Sequence, residues 1–578
     1  MRFQAFGRVR KVNDHDVDEP RWIIIIIKNN NNARWDGTTT MCFRYKETSR
    51  RLSIAALPFQ GARIGDSRVI PTRDSKRPPL TMKTTLASAV ASTLAAVIGA
   101  MQMQTPLYSS YAFNALEHLS GNSPYFEPAD PPRQPTPPRG CTVTRAAYLV
   151  RHAAINANDF DYETYLEPFL QKLGNTSVDW AKIPALAFLA AWEPPSFAEQ
   201  ELLTRTGRVE AAQLGLSLSY RYPKLRLPRR VWSSTAERTV ASARGLVRGL
   251  SLDDDDAGGG DGGDGGDDGG GGGIIQVVEV PEGKRAGADS LTPYKSCEAY
   301  SSAAGSDQQR VYVDAYTKPI VARLAAAAPG FNFTTADVVA MQSLCGYDTV
   351  LRGASPFCST DLFAPDEWLQ YEYGQDVQYH YNAGYGSPYA GAIGFPWINA
   401  TVGLLSAHAA AQDMYVSFTH RELPPAVLVA MGLFNNSQFS GGADVNATMP
   451  LDQINHNRAW VSSRILPFLA NIAIERMNCS TGGGGGGGSK SEKRSNSSSD
   501  DAASSTFYRV LVNRSPQVLP GCFDGPAQSC SADGLQKFMQ QRGDLFGEYS
   551  KTCGNSYKNS TDSVTFYTSS NNGTKAGS

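Results

Sequence analysis

A short apolar run, Ala146-Ala147-Tyr148-Leu149-Val150, ends in Arg151-His152 and hands over to Tyr162, Tyr165, Leu166, Phe169, Leu170 and Leu173 at helical spacing. The run reads as a buried strand and the spaced set as a helix. The same handover recurs twice. Val231-Trp232-Ser233 reads as a strand end, Ser234-Thr235-Ala236-Glu237 matches a capping box, and Val240, Ala243, Val247 and Leu250 continue one apolar face. Met414 to Thr419 is a third strand, followed by Pro424 and Pro425 in the first turn of a helix reaching about Phe434. Val209, Ala212, Leu216 and Tyr220 suggest a further helix. Alternation of this kind predicts an α/β core around a parallel sheet.

The three junctions end in charged residues: Arg151-His152, then Arg238, then His420-Arg421-Glu422. Open α/β sheets bind ligands outside the carboxyl ends of their strands, so these groups can converge on one site. Arginine forks match phosphate oxygens, and a helix N-terminus adds N–H donors for an anion. Phosphate chemistry is the natural reading, and without a Walker-type loop it is not P-loop nucleotide hydrolysis. Each piece alone is weak, because a lone histidine after a strand is more often structural. His380, His408 and His456 have no such context and read as structural.

The rest of the chain bounds the class. With a formal net charge of −1 over 578 residues, nothing argues for nucleic acid or a membrane surface as partner. The nine cysteines form no CxxC pair or zinc-finger spacing, so a structural metal is not expected. Eight lie between Cys141 and Cys553, an even number suited to disulfides in an oxidising compartment. Ten N-x-S/T sequons, at Asn175, Asn332, Asn399, Asn435, Asn446, Asn478, Asn496, Asn513, Asn559 and Asn572, imply N-linked glycans. From Met82 a charged start, an apolar run through Ile98 and Gly99-Ala100 read as a signal peptide.

The order and spacing resemble the histidine acid phosphatases, particularly the secreted fungal phytase-like branch, from about Leu119 to Cys553. Tyr148-Leu149-Val150-Arg151-His152 is similar to the family's Arg-His motif, and Leu203-Thr204-Arg205-Thr206-Gly207 to its Leu-Thr-x-x-Gly helix start. Ser233-Ser234-Thr235-Ala236-Glu237-Arg238 resembles the segment bearing a further pocket arginine, and Ser417-Phe418-Thr419-His420-Arg421-Glu422 the late histidine motif. Cys345-Gly346-Tyr347-Asp348, Ser355-Pro356-Phe357-Cys358 and Asp366-Glu367-Trp368 resemble the helical region of fungal phytases.

The resemblance implies that His152 is the nucleophile and forms a phosphohistidine. Arg151, Arg238 and His420 would bind the phosphoryl oxygens, and Glu422 would protonate the leaving alcohol, with no cofactor or metal. It implies disulfides Cys141–Cys479, Cys297–Cys553, Cys345–Cys358 and Cys522–Cys530, with Cys42 unpaired. Two departures stand out. The family continues Arg-His-Gly-x-Arg-x-Pro, where this chain has Ala153, Ile155 and Ala157, so one phosphate-binding arginine is missing; Arg421 is a candidate substitute. The late motif reads His-Arg-Glu rather than His-Asp, and its Glu two residues after the histidine resembles the His-Ala-Glu of multiple inositol polyphosphate phosphatases.

The expected fold is α/β of the phosphoglycerate mutase-like, histidine acid phosphatase type: a mainly parallel central sheet with flanking helices and a mostly helical subdomain. Residues 1–81 are read as a gene-model artefact or disordered leader, 82–100 as signal peptide, and 101–139 as an extended Pro-rich lead-in. The core spans 140–285 and 400–560, interrupted by low-complexity loops at 253–273 and 482–501, with a helical cap at 286–399 and a disordered tail at 561–578. The cap's scattered cations favour a broad phosphomonoesterase over a phytase. The rival reading is a catalytically inactive, secreted binding glycoprotein.

Overall fold

The computed structural model describes residues 21–27, 39–45, 55–56, 113–126, 136–195, 199–252, 274–436, 448–480 and 504–569. The signal-peptide segment, the loops at 253–273 and 482–501, and Asn446, Asn496 and Asn572 lie outside them. The chain divides into two units, Met1–Leu94 and Ala95–Ser578. In the first, where the sequence shows no sustained period, β1 (Arg21–Ile27), β2 (Thr39–Tyr45) and β3 (Ala55–Ala56) pair antiparallel.

The second unit is built on an eight-stranded sheet. Its strands are β4 (Cys141–Arg151), β5 (Arg230–Ser234), β6 (Gln276–Val280), β7 (Met414–Thr419), β8 (Asn471–Ser480), β9 (Ser504–Val512), β10 (Ser515–Gln517) and β11 (Cys530–Ser531). The order is β10-β9-β8-β4-β7-β5-β6, with β11 also on β9. The four strands β4, β7, β5 and β6 are mutually parallel, while β8 to β11 extend the sheet antiparallel. β4 shows why both faces are covered. Ala146, Tyr148 and Val150 enter one apolar cluster, and Ala147 and Leu149 enter the other, as the two-residue period of a strand requires.

On the first face lie α1 (Glu167–Gly174), α2 (Arg205–Arg221), α3 (Glu237–Leu250) and the cap helices α4 (Ser306–Ala327), α5 (Thr335–Arg352) and α6 (Pro365–Asn382). α7 (Ala390–Ser406), α8 (Leu423–Met431) and α9 (Ala532–Phe546) cover the second. The cap boundary expected at 399 therefore falls inside a helix, because Ile393, Trp397 and Ile398 of α7 pack with Leu149 and Ile474 of the sheet. Arg145 of β4 secures the end of α7, its guanidinium donating to the carbonyls of Leu405, Ala407 and His408.

Four sequence expectations need correction. α2 forms, but Val209 and Tyr220 are 49% and 69% exposed, while Gly207, Ala211 and Gly215 face inward. Small residues win because α2 and α3 cross almost in backbone contact. A Cβ at Gly215 would stand 2.1 Å from the Leu246 oxygen, and one at Gly249 1.8 Å from that of Ala212. The capping box at Ser234 does not form, since Ala236 is the N-cap and makes no side-chain cap. The lead-in is partly folded, with short 3-10 turns at Ala115–His118 and Ser120–Asn122. The tail is docked as far as residue 569: the Tyr567 hydroxyl lies 2.7 Å from Ser417 Oγ and takes the Trp397 indole N–H at 3.0 Å.

Disulfides join Cys141 to Cys479, Cys297 to Cys553, Cys345 to Cys358 and Cys522 to Cys530. Of the sequons, Asn175, Asn332, Asn399 and Asn559 are exposed, whereas Asn513 is 1% exposed and donates from Nδ2 to the Arg464 carbonyl. Its side chain is structural. No helix of the described residues is long and apolar enough to cross a membrane.

Candidate active site

The parallel strands end level with one another. Arg151 pairs with Thr419, Ser233 with Phe418, and Ser234 with Val280, so the residues that follow meet along one edge. His152 is fixed there by its backbone: its N–H donates to the Thr419 carbonyl at 2.9 Å, and its carbonyl accepts from Leu469 at 3.2 Å. Its Nδ1 lies 2.9 Å from the Ala153 carbonyl oxygen. A carbonyl only accepts, so Nδ1 carries the proton and the lone pair sits on Nε2. Burial, then the charges of Arg151, Arg238 and His420, hold the imidazole well below its ordinary pKa, so it stays neutral in acid.

His420 stands beside it, with ring centroids 5.6 Å apart. Its Nε2 is 3.1 Å from Glu282 Oε1, and its buried Nδ1 has no protein partner. Glu282 also accepts the Ala236 N–H at 2.9 Å, at the start of α3, and an ion pair from Lys295. This carboxylate replaces the expected capping box. Burial would raise its pKa, but His420 and Lys295 outweigh burial and hold it ionised. Glu282 was not anticipated. It follows β6, the fourth parallel strand, whose β-branched run Val277-Val278-Glu279-Val280 was the available signal.

The arginines are less free than expected. Arg151 is buried, and its Nη1 donates to the carbonyls of Gly121 and Leu466, both at 2.6 Å. Gly121 belongs to the folded lead-in, which thus positions a site residue. Burial lowers Arg151 to about 10, so it remains a cation. Arg238 Nη1 is paired with Glu201 Oε2 at 2.9 Å. The Nε atoms of both arginines are buried without partners. These two N–H groups are unmet donors close to His152, and His420 Nδ1 joins them as a donor when its ring is protonated, a ready place for an anion.

Ile155, at the position of the missing arginine, is 4% exposed, bridged to Leu203 and packed in the core. Arg421 points into a cleft beside the site and pairs with Glu422, Nε to Oε1 at 3.2 Å. It is close enough to Arg151 for the two charges to oppose each other. Glu422 also takes the hydroxyl of buried Tyr294. Burial would raise the Glu422 pKa, but Arg421 and His420 outweigh burial and bring it below the ordinary glutamate value. Among the described residues the one cluster with metal-ligand types is Cys522, Asp524 and Cys530, and its cysteines are bonded to each other.

The arrangement offers a neutral imidazole nitrogen, a ring of cationic donors and a carboxyl group at the edge, which suits transfer of a phosphoryl group. The sequence profile described as histidine phosphatase superfamily (branch 2) matches residues 155–513, more than half of the chain. The chain is 25% identical over 471 residues to a phytase of Candida albicans, covering 79% of this chain and 90% of that protein. It is 27% identical over 474 residues to an acid phosphatase of Komagataella pastoris, covering 77% and 88%. Among solved structures, the phytase from D. castellii superposes with a TM-score of 0.66 at 23% identity, covering 81% of this chain and 94% of that one. The multiple inositol polyphosphate phosphatase of Bifidobacterium longum gives 0.50 at 13% identity, covering 73% and 97%.

Proposed function

The chain belongs to the histidine phosphatase superfamily, branch 2, and from that membership we propose that it is a secreted acid phosphomonoesterase working through a phosphohistidine on His152. The observation that carries this is the Nδ1 contact to Ala153, which leaves Nε2 unprotonated among Arg151, Arg238 and His420. Nε2 attacks phosphorus as the P–O ester bond breaks, and the leaving alcohol takes a proton from Glu422. Water then attacks the phosphohistidine and gives its proton to the Glu422 carboxylate. The N–P bond breaks, releasing inorganic phosphate and restoring both groups.

The charges fit an acid-side optimum. His152 stays neutral there, and a bound phosphate offsets Arg421 and Arg151, so Glu422 gains the proton it must give. The four disulfides and the exposed sequons support secretion and N-linked glycans. The substrate is a small phosphomonoester, with no role for nucleic acid or a stable membrane partner.

The test is phosphate release from p-nitrophenyl phosphate at about pH 5 by wild type and His152→Ala. Release abolished by the substitution supports the reading. Folded, disulfide-bonded wild type without activity would favour the rival, a secreted glycoprotein that binds phosphate esters without turnover.

A further inference from the structure

Arg421 and Glu422 also form part of a cleft of about 200 Å³ that runs from the catalytic edge to the cap helices. Tyr300, Tyr379, Gln378 and Asn382 are among its walls, and among the described residues its ionic groups are Asp161, Glu422 and Arg421. The cleft therefore holds two carboxylates against one cation. Asp161 is held from behind. Its Oδ2 accepts from Tyr347 Oη at 2.6 Å, Asn158 Nδ2 at 2.9 Å and Asn122 Nδ2 at 3.2 Å. Its Oδ1 takes no hydrogen bond among the described residues. A single π turn, Tyr162–Leu166, follows directly and widens the helix at this point.

We propose that Asp161 is a specificity-determining residue, selecting phosphate monoesters of neutral polyhydroxylated alcohols, sugars or polyols, over esters whose alcohol carries further phosphates. The proposal rests on the phosphatase reading above. With three donors saturating Oδ2, Oδ1 is a fixed acceptor for a substrate hydroxyl, and the phenols and amides around it serve further hydroxyls. A second phosphate would instead face two carboxylates, and the lone cation, Arg421, is already paired with Glu422.

Asp161→Asn is nearly isosteric: the amide oxygen keeps the three donors while an NH₂ replaces the free Oδ1. It is compared with wild type, after matching melting temperatures, on p-nitrophenyl phosphate, sorbitol 6-phosphate and inositol hexakisphosphate. One unit charge removed across the cleft should raise kcat/KM for the hexakisphosphate about 10-fold. Losing one charge-assisted hydrogen bond should lower it about 10-fold for the polyol phosphate, with the aryl ester changed by less than about twofold. An unchanged ratio between polyol phosphate and hexakisphosphate, or an equal fall on all three, overturns the proposal. Wild type silent on the aryl ester would defeat the phosphatase reading by itself. Calorimetric binding of the same two esters to wild type and Asp161→Asn would then decide the role of Asp161.

Discussion

His420 Nε2 lies 3.1 Å from Glu282 Oε1, so a carboxylate at the end of β6 holds the histidine at the end of β7. Glu282 thereby fixes the ring, whose buried Nδ1 has no protein partner, and favours its protonated form. Burial acts against that proton more strongly than Glu282 supports it and, with Arg238, holds His420 below the ordinary histidine pKa.

Glu282→Gln should therefore lower kcat about 10- to 100-fold, the worth of one charge-assisted hydrogen bond. Without Glu282 the His420 pKa falls further, so activity should be lost at lower pH than in wild type. A lower kcat with an unshifted pH profile would mean that Glu282 is merely structural.

Arg421→Gln tests the proton donor. Arg421 is the leading charge holding Glu422 below the ordinary glutamate pKa. Its removal should raise that pKa and move the alkaline limb of kcat/KM to higher pH, since the acid must be protonated to act. A limb that stays put would assign the proton to another group.

His380 should make the fold acid-sensitive. Burial, with neither ring nitrogen hydrogen-bonded, pushes it down to about 4. The unfolded chain binds this proton near pH 6.5 and the folded chain only near 4. This contribution to stability is thus full above 6.5 and lost as pH falls toward 4, amounting to ~3 kcal/mol. In His380→Phe the melting temperature should fall less between pH 6.5 and 4 than in wild type. Equal slopes would remove His380 from the acid response.

Glycopeptide mapping of the secreted protein should find glycans among Asn175, Asn332, Asn399 and Asn559, and none on Asn513, which is buried behind β8 and β9. A glycan on Asn513 would contradict the packing of that corner.

What was legible in the sequence was whatever one apolar run could report. Val150-Arg151-His152 and Thr419-His420 were legible together, because several buried strands ending in charge point to one site where any single one is weak. The face of α2 was not legible, since Gly215 lies against the Leu246 backbone of α3 and Gly249 of α3 against the Ala212 backbone of α2, a proximity that hydrophobicity does not encode. Glu282 was hidden because β6 is a half-exposed edge strand standing directly after an Asp/Gly stretch. The partners of Arg151 and Arg238, a lead-in carbonyl and Glu201, depend on tertiary contacts over many residues. Tyr567 looked like tail because only Ser417 and Trp397, far away in sequence, give its hydroxyl a place.

The central claim is that Nε2 of His152 accepts the phosphoryl group. Rapid quenching of turnover with a radiolabelled phosphate ester, followed by peptide mapping in base, where phosphohistidine survives, tests it directly. The account predicts label on the peptide carrying His152, lost on acid treatment and absent from His152→Ala. Full turnover with no label on His152, or label on another residue, would contradict it.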